Sequence, residues 1–290
     1  MNLLFIADCH FRETKPICRI DDFIITQLDK INFIKKVSEE YKVKYIFQAG
    51  DLLDTYKVSI SFLNWLIDNL PYMYCIVGNH DMPSHNLNEL DKSALSILHK
   101  AEVIRILNEP LETDDFILYP FHFGQDITSP EKTDKVKIAL WHRFIIRPNE
   151  VPAWKNDMGL VGNKLFRYGY DLVFTGDNHE YIKMEKEGRY VINGGSLLRL
   201  NVDQIEHTPK IFVYNTNNRK VKEIEIPIQK DCISTEHIDV LNKKINTEDF
   251  LKTLKGGDWT INFRKNIEIW LNENKVKTEV KEKVMSILQE

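Results

Sequence analysis

The chain has 290 residues, 43% hydrophobic and 28% charged, with a formal net charge of −4. That balance excludes a disordered or fibrous chain, and there is no overall basic excess of the kind that marks many nucleic-acid binders, although a local basic groove fits inside a mildly acidic total. No run approaches the ~20 apolar residues of a membrane span.

In chain order, residues 3–7 form an apolar run of buried-strand length, closed by Asp8-Cys9-His10. No basic residues precede this run, which reads as a strand and not as a signal peptide. Residues 22–41 carry Ile24, Leu28, Ile31 and Ile34 at helical spacing. Residues 45–47 are the next strand, closed by Gly50-Asp51-Leu52-Leu53-Asp54, and residues 59–69 are a second amphipathic helix. Residues 73–77 make a third strand that opens into Gly78-Asn79-His80-Asp81. Strand, helix, strand, helix, strand predicts right-handed crossovers and a mostly parallel sheet.

Residues 86–100 read as one helix, 103–107 as a strand, and 116–121 as a strand added antiparallel. A buried strand over 136–141 ends in His142, and 143–159, with Pro148, Pro152 and Gly159, is a long loop. Residues 172–175 are a strand ending in Gly176-Asp177-Asn178-His179. A hairpin turns at Glu187-Gly188, Gly194-Gly195-Ser196 is a tight bend, and two strands over 210–215 and 221–226 turn at Asn217-Asn218. Beyond Pro227 the pattern becomes helical and polar. A boundary at 227/228 separates a catalytic domain from a small helical appendage, which serves as a cap, a dimer surface or a partner dock.

The four cysteines, Cys9, Cys18, Cys75 and Cys232, form no Cys-x-x-Cys pair. They read as free thiols in a reducing compartment, and the cytoplasm is the expected location.

The polar residues at the strand ends share one chemistry. Carboxylate, imidazole and amide oxygen are ligands for divalent cations, and strand C-termini collect along one edge of a parallel sheet. Asp8-x-His10 and Asp177-x-His179 each place two donors on one face of an extended segment. Two such pairs exceed what one ion needs, so a two-metal centre with a bridging carboxylate is expected.

These motifs, in this order and spacing, resemble the calcineurin-like metallophosphoesterase superfamily over roughly residues 1–226. The resemblance implies a layered α/β/β/α sandwich of mixed sheets. It implies that Asp8, His10 and His179 hold one ion, that Asn79, His142 and Asp177 hold a second, and that Asp51 bridges them. His80 is implied to contact the phosphate and protonate the leaving oxygen. Asp54 and Asp81 would lie behind the ligands, with Asp81 orienting the His80 ring. The superfamily has histidine where this chain has Asp177. An extra carboxylate favours harder cations, manganese first and magnesium second.

Asn193-Gly194-Gly195-Ser196-Leu197 and the strand after Thr208-Pro209 resemble segments of SbcD-type repair nucleases, and the short tail resembles phage versions. This finer resemblance implies exonuclease or endonuclease action on single- or double-stranded DNA ends, in repair or recombination. It also implies an SbcC-type coiled-coil ATPase as partner, and a homodimer is a further expectation. Arg12, Arg143 and Arg199 are candidate contacts to the DNA backbone. Two other readings stand beside this one: a phosphodiesterase for small molecules or nucleotides on the same core, and a non-catalytic scaffold whose metal site Asp177 has degraded. His85, His99, His122, His207 and His237 match no motif and read as structural or solvated.

Overall fold

The computed structural model describes residues 1–148 and 159–236, together with Leu271, Val280 and Lys281. By contacts the chain divides into Met1–Ser234 and Thr235–Glu290. Residues 228–234 pack as part of the first unit, where Arg19 and Ile233 form an antiparallel bridge and Cys232 is buried. The helices expected beyond residue 236 lie outside the described residues.

The first unit is built from two six-stranded sheets. Its elements begin with β1 (Asn2–Ile6), α1 (Phe23–Glu40), β2 (Val43–Gln48), α2 (Ile60–Asn69), β3 (Met73–Cys75), α3 (Ala94–Lys100) and β4 (Ile104–Ile106). They continue with β5 (Leu111–Glu112), β6 (Phe116–Phe121), β7 (Val136–His142), the short pair β8 (Ile145–Ile146) and β9 (Leu160–Val161), and β10 (Leu172–Gly176). The last are β11 (Ile182–Lys186), β12 (Arg189–Asn193), β13 (Lys210–Asn215) and β14 (Lys220–Glu225). One sheet runs β14-β13-β1-β2-β3-β4 and the other β11-β12-β10-β7-β6-β5.

The strands follow period-two logic. Leu3 and Phe5 face the second sheet, in a layer with Phe47 and Phe212 of their own sheet and Ile138, Leu140 and Phe174 of the other. Leu4 and Ile6 face the other way, into a layer with Ile31 and Ile34 of α1 and Leu66 of α2. A strand buried on both faces has no polar positions to spare, which is why these runs read as continuously apolar. The outer face of the second sheet packs Ala139, Trp141 and Val173 against Leu165 of the 3₁₀ helix Gly162–Tyr168.

Parallel pairing holds across β1-β2-β3-β4 and across β12-β10-β7-β6, as the alternating pattern predicts. The hairpin β11-β12 turns at Glu187 and Gly188, both with positive φ (53° and 73°), the requirement of a two-residue hairpin turn. Two expectations are corrected. β6 pairs antiparallel only with the short β5, and its long partner β7 is parallel, because residues 122–135 carry the chain back to the start of the sheet. The single helix over 86–100 is two pieces, a 3₁₀ turn Leu87–Lys92 and then α3. Ser93 interrupts it by accepting the Ser96 N–H in its own side chain, a capping bond that ends one helix and starts another.

Candidate metal centre

Strands β1, β2 and β3 of one sheet and β7 and β10 of the other end at the same edge of the sandwich. The polar loops converge there from two sheets, not along a single sheet. The approach is close: a Cβ at Gly176, after β10, would lie 2.7 Å from the Ala49 carbonyl after β2. One at Gly78 would lie 2.1 Å from Asp51 Oδ1. Glycine is needed at both points because a backbone or a ligand occupies the space a side chain would take.

Asp8 and His10 do not sit on one face of an extended segment, as their spacing suggests. β1 ends at Ile6, and Asp8 and His10 adopt left-handed backbone with φ of 43° and 47°. Asp51 (54°) and Asp177 (80°) do the same. Left-handed non-glycine residues carry a strain of about 1–3 kcal/mol each. Their concentration here is the backbone cost of aiming side chains from three of these strand ends at one point.

The donor atoms meet closely. His10 Nε2 and His179 Nε2 lie 2.9 Å apart. His142 Nε2 lies 2.9 Å from Asn79 Oδ1. A single oxygen, Asp51 Oδ2, is 3.4 Å from His142 Nε2 and 3.7 Å from His10 Nε2. That places Asp51 between the two halves, as a bridge requires. The His142 Nδ1–H donates to the Ala49 carbonyl at 2.7 Å, which turns Nε2 toward the cluster. Among the His, Cys, Asp and Glu side chains of the described residues, three groups are near enough to share an ion: Asp8, His10 and His179; Asp8, Asp51 and His142; and His10, Asp51 and His80.

These residues fit divalent metals. Ligand atoms about 2.1 Å from one ion and at right angles to each other stand about 3.0 Å apart, close to the His–His and His–Asn separations here. Each gap is also hydrogen-bond distance, bridged by a ring N–H that a bound ion would displace. Among the described residues, the charged partners of the buried Asp51 carboxylate are histidines, with no Lys or Arg ion-paired to it. Burial pushes the Asp8 carboxyl well up, with Asp51 adding to it. Burial also opposes charge on His142, but Asp51, Asp8 and Asp177 outweigh it and raise the ring to about 10. His10 goes the opposite way: burial, reinforced by His179 and His80, lowers it to about 3, so it presents a neutral, metal-binding nitrogen.

Behind the ligands, Asp81 is fully buried. It accepts the N–H groups of Gly78 and Asp51 at 2.9 Å and of Leu53 at 3.0 Å. Burial, and then Asp51, raises it to about 7. This corrects the expectation that Asp81 orients His80. Its oxygens are taken by backbone amides, and they tie the loop after β2 to the loop after β3. The His80 ring is instead held by Asp54: His80 Nδ1 donates to the Asp54 carbonyl at 2.8 Å. The Asp54 carboxylate pairs with Arg12 at 3.0 Å and stands 3.7 Å from His10 Nδ1. Asp51 Oδ1 accepts the His80 backbone N–H at 2.9 Å.

The arginines divide. Arg12 is engaged by Asp54 and Thr14, and Arg143 lies over the Trp141 ring at 5.8 Å. Arg199 is buried, donating to the carbonyls of Ile205 and Gln229 and to Cys232 Sγ. A guanidinium whose fork is filled by protein acceptors is a structural anchor, so Arg199 does not serve as a surface contact to DNA.

Two histidines unmatched by any motif brace the site. His122 Nδ1 accepts the Val77 N–H at 3.0 Å, and the next residue, Phe123, donates its N–H to the Val77 carbonyl at 2.9 Å. The second sheet thereby grips the chain just before Asn79. His85 Nδ1 donates to the Asn79 carbonyl at 3.1 Å. Neither residue has a local sequence signal, since each acts through a backbone group distant from it or set by the fold.

Residues 1–181 match the calcineurin-like phosphoesterase family, and the chain belongs to it. It is therefore a hydrolase of phosphoester bonds, with the His and Asp groups of a metal site in place. The chain is similar to several solved structures. An archaeal phosphodiesterase is 18% identical, with a TM-score of 0.41 over 78% of this chain and 99% of that one. A metallophosphoesterase from Sphaerobacter thermophilus is 13% identical, with a TM-score of 0.40 over 79% and 90%. A Staphylococcus aureus protein described as a 5′-nucleotidase, solved with α-ketoglutarate, is 14% identical, with a TM-score of 0.45 over 84% and 58%. No curated protein matches the sequence. Among the described residues no helix is long and apolar enough to cross a membrane.

Proposed function

We propose that the protein is a two-metal phosphodiesterase that cleaves small or nucleotide-type phosphodiesters. The observation that carries the two-metal reading is the position of Asp51. One carboxylate oxygen lies between the His10 and His142 nitrogens, and the other holds the backbone of His80. When bound, the ions supply positive charge against the phosphate and acidify the attacking water. Asp8, His10 and His179 would hold one ion, Asn79, His142 and Asp177 the other, and Asp51 both. Manganese, or magnesium, is the ion that this mixture of oxygen and imidazole donors favours.

The protein's own proton chemistry rests on His80. Its Nδ1–H stays on the Asp54 carbonyl, so Nε2 is the atom free to give a proton to the leaving oxygen. The ring is exposed, at the open face of the cluster where an ester oxygen can reach it. Asp81 keeps the loops bearing Asp51 and His80 in register.

The arginines favour the small-ester reading over DNA. Arg199 is buried and Arg12 is spent on Asp54, which removes two of three candidate backbone contacts. The test is manganese-dependent hydrolysis of bis-p-nitrophenyl phosphate and cyclic nucleotides, run beside labelled single- and double-stranded DNA. Turnover of the small diesters with little DNA degradation is expected. Preferential degradation of DNA ends would restore the nuclease reading, and with it a coiled-coil ATPase partner as the next question.

A further inference from the structure

The His80 ring hangs on a backbone carbonyl, that of Asp54. That carbonyl stands at the end of a short ladder between the loops after β1 and β2. The Phe11 N–H donates to the Leu52 carbonyl at 3.0 Å, and the Asp54 N–H donates to the Phe11 carbonyl at 3.1 Å. Side chains make the last rung: Arg12 Nη1 pairs with Asp54 Oδ2 at 3.0 Å. Arg12 is itself fixed from α1. The amide of the fully buried Gln27 accepts the Arg12 N–H and donates to the Arg12 carbonyl, both at 2.9 Å. Arg12 Nη2 also donates to Thr14 Oγ1 at 3.0 Å. The other Asp54 oxygen faces His10 Nδ1 at 3.7 Å, too far for a hydrogen bond.

A chain of contacts thus runs from α1 through Gln27, Arg12 and Asp54 to the His80 ring. The end of a ladder frays unless something closes it, and a charge-assisted bond closes it firmly. The Arg12–Asp54 pair is partly exposed, so it adds little to the stability of the whole domain. Its effect falls on geometry. An acid must stand within hydrogen-bond reach of the oxygen it protonates, and a displacement of about 1 Å is costly to the rate.

We propose, resting on the phosphodiesterase reading above, that Arg12 is a positioning residue for His80. By holding the Asp54 carboxylate it fixes the carbonyl that carries the Nδ1–H, and so aims Nε2 at the leaving oxygen. As the phosphorus–oxygen bond breaks, its electron pair stays with the leaving oxygen, which takes the Nε2 proton. The imidazolium becomes a neutral ring still held on Asp54, and the water oxygen supplies the new bond to phosphorus.

The experiment compares two diesters of similar shape on the manganese-loaded full chain. Bis-p-nitrophenyl phosphate has a weakly basic leaving oxygen, and diphenyl phosphate has a more basic one that leans harder on an acid. Arg12→Met keeps the apolar stem and removes the charge. It should lower kcat for diphenyl phosphate by ~10–100-fold, with a clearly smaller loss for the nitrophenyl ester and little change in KM. Arg12→Lys, which returns one charged donor to Asp54, should recover most of that loss. Added to His80→Asn, Arg12→Met should cost no further activity, because both changes remove the same function. Manganese binding by calorimetry should match the wild type. An equal loss on both esters, a change confined to KM, weakened manganese binding or full additivity with His80→Asn overturns the inference and leaves the phosphodiesterase reading standing. Wild-type hydrolysis of the nitrophenyl ester alone also overturns it, and hydrolysis of neither ester overturns both.

Discussion

The two ends of the sandwich solve the same problem in different ways. Each buries a carboxylate. At the far end, Asp171 accepts the Lys137 N–H at 2.8 Å and pairs with Arg219 at 2.9 Å, so its charge is answered by protein. At the site end, Asp8 and Asp51 receive backbone N–H bonds and face imidazoles instead of Lys or Arg. Burying a carboxylate is costly unless an opposite charge or enough hydrogen bonds offset it. The far end is finished by folding, whereas the site end is finished by a cation from outside. The difference marks which buried acids are architecture and which are chemistry.

Removing the bridge should widen that difference most. Asp51→Asn should abolish tight binding of both ions and lower diester hydrolysis by at least ~10³-fold, the equivalent of several kcal/mol of lost charge stabilisation. Hydrolysis assays and metal content after manganese loading check it. His80→Asn should keep the metals and still lose ~10²–10⁴ in kcat. Loss of metal along with activity would instead make His80 a ligand, a role its closeness to His10 and Asp51 keeps in view.

Stability should separate the two ends next. Manganese at ~100-fold over its dissociation constant should stabilise the protein by roughly 3 kcal/mol per occupied site, reversed by chelator and read by thermal unfolding. Arg219→Ala, at the far end, should cost only about 1–2 kcal/mol, because the arginine is half exposed, and should leave metal content and turnover unchanged.

A pH-dependent effect on stability concerns His122. Burial lowers it to about 4, below its ordinary 6.5, so the folded state holds it neutral. Between those values the unfolded chain binds the extra proton, so stability is present above about pH 6.5 and falls as the pH drops toward 4. The contribution is at most about 3 kcal/mol. Urea unfolding of the wild type and His122→Gln across this range checks it, and an equal acid slope in both would remove His122 as the cause.

Much of the site is legible before any fold is known, because its donors stand in short motifs at strand ends. Asp8, His10, Asp51, His142 and His179 stand close together at the strand exits their motifs mark, with Asn79 beside His142. The residues misread are those whose role depends on a partner far along the chain. Asp81 is beside His80 in sequence, yet its oxygens are claimed by amides about thirty residues earlier. Arg199 follows a glycine-rich bend like a phosphate contact but is buried under the chain around Gln229 and Cys232. His122 could not be singled out, because its partner is the backbone of Val77.

The sequence by itself determined the donor chemistry, the alternation of strands and helices, and the places where the chain leaves a strand. These are local properties of residue type and period. Only the tertiary structure decided which donors share an ion, since that depends on how two sheets approach and on left-handed turns at Asp8, His10, Asp51 and Asp177. Asp177 shows the limit most plainly. Its chemistry suits a ligand, but which strand exits it stands between follows only from the register of β10 against β7.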